Sequence, residues 1–131
     1  MKISRSIGYA LIAAAHVAMN CKEKAVLSST IAKEYAIPLE YLLKILQQLV
    51  RGGVLRSKRG PRGGFTLARP AEEISILEII ESVDGPMVAH LHLAELTKDA
   101  PFGLKMEAAC RKAIEQTRVT YTNTKLADMI K

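Results

Sequence analysis

The sequence predicts a mainly α-helical protein that carries one small β-hairpin. Apolar residues recur at helical spacing through most of the 131 positions. Between residues 53 and 70, two short segments of β type flank a glycine-rich turn. Hydrophobic residues make up 49% of the chain but aromatic residues only 5%, and there is no tryptophan. We therefore expect one compact domain with an extension, built on an aliphatic core.

The N-terminal twenty residues predict a buried helix. Ser4 is a suitable N-cap, and the helix should run to about Asn20. The basic start and apolar run resemble a signal peptide, but a histidine interrupts the run. Helical spacing of apolar side chains instead predicts an amphipathic helix with Ile7, Leu11, Ala14 and Ala18 on its inner stripe.

Residues 28–53 predict a short helix, a turn and a longer helix. Ser28 is expected to cap a helix over residues 29–35, and the turn contains Pro38. The longer helix should run from about Leu39 to Arg51 and end at the Gly52-Gly53 pair. Its predicted buried stripe comprises Leu42, Ile45, Leu46 and Leu49.

The opposite face of the longer helix is predicted to be polar. Its residues follow one another at steps of three, four and three: Tyr41, Lys44, Gln48 and Arg51. Glu40 and Lys44 are four residues apart and are expected to form an ion pair. This face could both donate and accept hydrogen bonds.

The hairpin, with strands expected over 54–58 and 65–68, concentrates positive charge. Its stretch contains no acidic residue and five cations, Arg56, Lys58, Arg59, Arg62 and Arg69. Residues 1–70 hold 12 Lys and Arg against 3 Asp and Glu, whereas residues 71–131 hold 7 against 10. A basic half joined to a mildly acidic half is typical of a module that binds a polyanion.

The C-terminal half predicts two further helices. Ser75 and Glu78 form a capping box for a helix that ends near Val83, and residues 87–101 have no regular pattern. A long helix should follow from about Phe102 to Tyr121. Its wide apolar stripe predicts a dimer interface, formed by Met106, Ala109, Cys110, Ala113, Ile114, Thr117 and Tyr121.

The order short helix, turn, longer helix and cationic hairpin predicts a winged helix-turn-helix that binds DNA. We expect a DNA-binding domain over 1–85, and an irregular segment with a dimerisation helix over 86–131. Few aromatic residues argue against stacking of single-stranded nucleic acid. Two distant cysteines indicate a reducing, cytoplasmic compartment, and no stretch is long and apolar enough to span a membrane.

The chain resembles the Rrf2 family of bacterial transcriptional regulators. The similar segments are MKISRSIGYALIAAAHVA, IAKEYAIPLEYLLKILQQLVRGGVL, RSKRGPRGGFTLARP, ISILEIIESVDG and TKLADMI. The resemblance implies a homodimer on palindromic operators, with the second helix of the motif in the major groove and the wing near the minor groove.

The resemblance also implies which residues contact DNA. Tyr41 and Lys44 match recognition-helix contacts, and Arg59 matches a wing position that reaches DNA. The alternative for Tyr41 is a core tyrosine whose hydroxyl lies at the edge of the core. Arg62 stands where the family has glycine, and we expect it to contact a phosphate. The full predicted set is Ser28, Pro38, Glu40, Tyr41, Lys44, Gln48, Arg51, Lys58, Arg59 and Arg62.

The chain departs from the family in its cysteines. Many members hold an iron–sulfur cluster through three closely spaced cysteines, but the matching region here contains only Cys110. We therefore expect no cofactor and no cluster of that kind. His90 and His92 are more simply explained as exposed loop residues than as metal ligands, and Cys110 is retained as a possible redox sensor, although buried cysteines are mostly inert.

Two other classes of function compete with DNA binding. The sequence has no nucleophile–base pattern, P-loop, HExxH or CxxC motif, so we do not expect an enzyme. A winged helix used only for protein interaction is the alternative, and the cationic wing favours DNA over it. The effector, and the choice between repressor and activator, stay open.

Overall fold

The computed structural model describes residues 2–89 and 91–131. Within those ranges, the only two strands follow three helices, of which the second is short and the third is longer. The elements are α1 (Arg5–Asn20), α2 (Ser28–Tyr35), α3 (Leu39–Arg51), β1 (Leu55–Lys58), β2 (Gly64–Leu67), α4 (Ile76–Asp84), α5 (Leu93–Leu96), α6 (Pro101–Asn123) and α7 (Leu126–Met129), with a single 3₁₀ turn at Ala71–Glu73. The mainly helical fold with one hairpin is confirmed.

Helix α1 lies at the centre of the core. The Ser4 hydroxyl accepts a hydrogen bond from the Ile7 N–H at 3.3 Å, so the predicted N-cap is confirmed. The helix packs against α3 and α4, and its alanines let these neighbours approach closely. Leu11 is only half-buried, because the buried side of the helix is formed by Ile7, Ala10, Ala13, Ala14, Val17 and Ala18.

The predicted cap of the second helix is wrong. Leu27 is the N-cap, Ser28 is the first helical residue, and no side chain caps this end. The helix is anchored instead by Ile31, which is fully buried, and it ends at Ala36 in a left-handed conformation. Burial of an aliphatic side chain therefore positions α2 more than a terminal hydrogen bond does.

Helix α3 buries the predicted stripe. Leu42, Ile45, Leu46 and Leu49 are all buried, and the helix ends at Gly52 with Gly53 in a positive-φ conformation. The predicted ion pair is not formed: no salt bridge in the described part of the chain joins Glu40 to Lys44. Both side chains are exposed, where water competes for their charges.

The hairpin is antiparallel and is held against the loop that precedes α2. Leu55 pairs with Leu67, and Val26 exchanges two backbone hydrogen bonds with Phe65, at 2.9 and 2.8 Å. Gly64 has φ +138°, and a Cβ there would lie 2.4 Å from the carbonyl oxygen of Val26. Only glycine fits this crossing of two backbones.

Helix α4 begins with the predicted capping box. The Ser75 hydroxyl accepts from the Glu78 N–H at 3.1 Å, and the Glu78 carboxylate accepts from the Ser75 N–H at 2.8 Å. Glu78 also pairs with Arg69 at the end of the hairpin. Burial alone would raise the pKa of Glu78, but the hydrogen bonds from Ser75 and Arg69 and the charge of Arg69 bring it below the ordinary value of 4.5.

The C-terminal segment returns to the core. A short helix, α5, forms inside residues 87–101, which the sequence left irregular. At the end of α6, the Leu126 N–H donates to the Ile74 carbonyl at 2.8 Å, and the Leu126 side chain is buried in the same cluster as α1 and α3. The division into units at residue 85 stays a prediction.

Candidate nucleic-acid interface

The outward face of α3 carries polar and charged side chains. Opposite the buried stripe lie Glu40, Lys44, Gln47 and Arg51, at steps of four, three and four, and all are exposed. Gln48, which the sequence placed on this face, is half-buried at its edge. The sequence reasoning missed Gln47, although 100° per residue places it almost opposite Ile45 and Leu49, which are both buried.

Tyr41 is positioned by α1. Its hydroxyl hydrogen-bonds the Ser6 hydroxyl, and its ring meets the Tyr9 ring edge to face, with 5.6 Å between the ring centroids. The Tyr41 side chain is 39% exposed. It is therefore neither a buried core tyrosine nor a freely solvated side chain. This contact ties the first turns of α1 and α3 together.

The five cations of the hairpin stretch have two different roles. Arg69 is half-buried and donates to the carbonyl oxygen of Glu73 at 3.1 Å, while it pairs with Glu78. The other four are exposed and form no salt bridge within residues 2–89 and 91–131; they are Arg56, Lys58, Arg59 and Arg62. Unpaired exposed cations are available to an anionic partner.

Two further predicted DNA contacts lie at helix starts. Ser28 is half-buried in the first turn of α2, and Pro38 is the exposed N-cap of α3. Since the hydroxyl of Ser28 makes no capping bond, the structure leaves it available for another partner.

The predicted dimer stripe of α6 is divided between two faces. Cys110, Ile114 and Thr117 point toward α4 and line an open cavity of about 580 Å³ with Ile80 and Met87. Tyr121 also packs against the core. The remaining members of the stripe are exposed: Met106, Ala109 and Ala113. Ala113 also borders the cavity, so it lies between the two faces.

A salt bridge joins α4 to α6 beside Met87. Arg118 donates to the Glu81 carboxylate at 2.9 Å and to the Met87 carbonyl at 3.1 Å. Glu81 in turn accepts from the Met87 N–H at 2.6 Å. The segment that leaves α4 is therefore fastened to α6.

The residues after α4 do not fit an iron–sulfur cluster. Such clusters are generally held by four thiolates, and Cys110, half-buried between apolar walls, is the single cysteine of residues 86–131. His92 is exposed at the start of α5, and His90 lies outside the described residues. No three His, Cys, Asp or Glu side chains converge on a metal position in the described ranges.

A short helix, a turn, an exposed polar helix and a cationic hairpin together define a winged helix-turn-helix transcriptional regulator. The Rrf2 family model, described as an iron-dependent transcriptional regulator, matches residues 3–131. The chain belongs to the Rrf2 family. The resemblance seen in the sequence is thus confirmed, and its relatives are regulators rather than enzymes.

Individual proteins agree with this assignment. The regulator IscR of Cereibacter sphaeroides is 31% identical over 137 residues, covering 100% of this chain and 88% of that protein. A protein of Aquifex aeolicus named as an HTH-type transcriptional regulator is 43% identical over 81 residues, which cover 62% of this chain but only 56% of the relative. The matched stretch therefore spans little more than half of that relative's length.

A solved structure shows the same fold. CymR, the global cysteine regulator of B. subtilis, superimposes with a TM-score of 0.80 at 24% identity, covering 99% of this chain and 96% of that one. None of the helices in the described ranges is long and apolar enough to cross a membrane.

Proposed function

We propose that the protein binds double-stranded DNA sequence-specifically as a homodimer, acts on palindromic operators and carries no iron–sulfur cluster. The observation that carries the proposal is the set of exposed cations on α3 and the hairpin, which form no salt bridge in the part of the chain that the structure describes. An α-helix fits the major groove, and cations on a neighbouring hairpin would contact the sugar–phosphate backbone beside it.

The candidate contacts on α3 and the hairpin have different roles in this proposal. Lys44 and Gln47 lie on the outward face of α3, where side chains would reach base edges. Arg62 and Lys58 lie on the hairpin and would neutralise phosphates, which positions the protein without reading sequence. Tyr41 would act partly through its contact with Ser6, which holds α1 beside α3.

The homodimer is supported by an exposed seam on α6. Side chains at steps of four, three, four, three and four share one face, which is the a/d pattern of a coiled coil: Phe102, Met106, Ala109, Ala113, Gln116 and Thr120. Phe102 is 60% exposed and Met106 is 56% exposed. A two-fold dimer built on this seam would present two copies of α3 to two half-sites.

The absence of a cluster is supported by chemistry. One half-buried thiol cannot supply the thiolates that an iron–sulfur cluster needs, and its surroundings are apolar. Regulation would therefore depend on another signal. The three closely spaced cysteines through which many family members hold a cluster are missing from this chain.

Salt titration of duplex binding tests the proposal. An operator is first selected from a pool of random duplexes, and affinities are then measured on it and on a scrambled duplex. Arg62→Ala should weaken binding to both about equally and reduce the salt slope by about one. Arg59→Ala should lose about 1–3 kcal/mol on the operator and less on the scrambled duplex.

Lys112→Ala is the matched control, because Lys112 is an exposed cation on α6 away from the hairpin. It should leave both affinities unchanged. If neither hairpin variant changes affinity, the hairpin is only a solvated turn, and the interpretation of the domain as a protein-interaction module gains support.

A further inference from the structure

Two leucines on α3 are exposed although the helix already has a complete buried stripe. Leu39 is 43% exposed and Leu43 is 36% exposed. Neither belongs to the core cluster or to the residues packed against it, whereas Leu42 and Leu46 beside them are fully buried. The pair therefore leaves apolar surface in contact with water.

The position of the leucine pair relates it to the polar face. The two residues are four apart in the first two turns of α3, so their side chains lie on one row of the helix. At 100° per residue, this row borders the row of Glu40 and Lys44 on the outward surface. In helix-turn-helix proteins, the N-terminal turns of this helix are the part that reaches base edges.

An apolar row bounded by charge restricts what could cover it. A second apolar protein surface would have to bury the exposed charge of Lys44 without a partner, which is unfavourable. The major groove instead combines a strongly anionic backbone with one apolar group, the C5 methyl of thymine. Its chemistry matches both the charges and the leucines.

We propose that Leu43, with Leu39 beside it, contacts thymine C5 methyl groups and thereby selects thymine at defined operator positions. The proposal rests on the proposed function and names a part of its sequence reading. Polar side chains on the same face would read hydrogen-bonding groups, whereas the leucines would read a group that makes no hydrogen bond.

Replacement of thymine by uracil isolates this contact, since uracil pairs with adenine identically and lacks only the methyl group. An operator selected from random duplexes is resynthesised with uracil at each thymine in turn, and affinities for the full chain are measured at fixed salt. At one or two positions the wild type should bind the uracil duplex about fourfold more weakly, as expected for one buried methyl group. Leu43→Ala should bind both duplexes equally at one of these positions.

Leu104→Ala is the matched control, because Leu104 is an exposed leucine on α6. It should keep the full preference for thymine even if its overall affinity changes, since the ratio and not the affinity is the measured quantity. Circular dichroism confirms that each variant is folded.

The outcomes separate the two proposals. Equal binding of thymine and uracil duplexes by the wild type at every position overturns the leucine contact alone. An undiminished thymine preference in both Leu43→Ala and Leu39→Ala does the same. Failure to enrich any sequence from the random pool overturns the proposed function and this inference together.

Discussion

Replacing Arg69 with alanine should destabilise the protein, whereas the same change at Arg62 should not. Arg69 donates to the Glu73 carbonyl at 3.1 Å and to the Gly53 carbonyl at 3.5 Å, and it pairs with Glu78. These contacts join the end of α3, the hairpin and the start of α4.

The size of the effect follows from the exposure of the pair. Both side chains are 37% exposed, so the ion pair itself contributes less than about 1 kcal/mol. One good hydrogen bond to a carbonyl adds about 1 kcal/mol, and the 3.5 Å contact adds little. Arg69→Ala should therefore cost about 1–2 kcal/mol, which corresponds to roughly 3–10 °C in Tm for a chain of this size.

Thermal unfolding followed by far-UV circular dichroism measures this difference at fixed protein concentration. Arg62 is exposed and forms no salt bridge in the described ranges, so Arg62→Ala should stay within about 0.5 kcal/mol of the wild type. A double-mutant cycle with Glu78→Gln should reveal a coupling between Arg69 and Glu78. Equal Tm values for the two arginine variants, or additive effects in the cycle, would refute the reasoning.

Four other predictions follow from single features. Because the pKa of Glu78 is lower in the folded than in the unfolded chain, its contribution to stability is present above about pH 4.5 and is lost as pH falls through the folded value; Glu78→Gln should remove this step from the pH dependence of unfolding. Gly64→Ala should lower Tm by several degrees, because the new Cβ would overlap the backbone of Val26. Gly60 faces open space, so Gly60→Ala should cost only the strain of its positive φ. Equal Tm values for the two variants would contradict this difference. Met106→Glu should shift the protein toward monomer in sedimentation experiments, because a dimer interface would bury the new charge. Val119→Glu, on another face of α6, should leave the oligomeric state unchanged. A wild-type protein that is monomeric would contradict the proposed dimer. Protein purified without oxygen should contain no stoichiometric iron and sulfide, and a brown sample with both would overturn the proposal of a cluster-free regulator.

Periodic and local signals account for what the sequence predicted well. The stripe of α3 followed from helical spacing, and the α4 capping box followed from two residues three positions apart. Both features depend on neighbours within about one or two turns, so their physical causes are visible in the one-dimensional chain. Because glycines next to an element also act locally, the C-terminal end of α3 and the bounds of the hairpin strands were predictable to within about one residue.

Features that depend on distant partners were not accessible in this way. Arg69 belonged to the cationic stretch by sequence, and only its approach to Glu78 separates it from Arg59 and Arg62. Ser28 has a side chain typical of an N-cap, yet Leu27 is the N-cap of α2, directly after Val26 pairs with Phe65 of the hairpin.

The sequence by itself determined the class of protein, the order of its elements and the concentration of positive charge in its first 70 residues, because each is a property of residue type and spacing. Only the tertiary structure decided which members of those patterns are free. Packing of α6 on α4 turned Cys110 inward and left Met106 outward, and packing of α3 on α1 engaged Tyr41 while leaving Leu43 exposed. Exposure depends on which surface covers a side chain, and that surface comes from residues far away in the sequence.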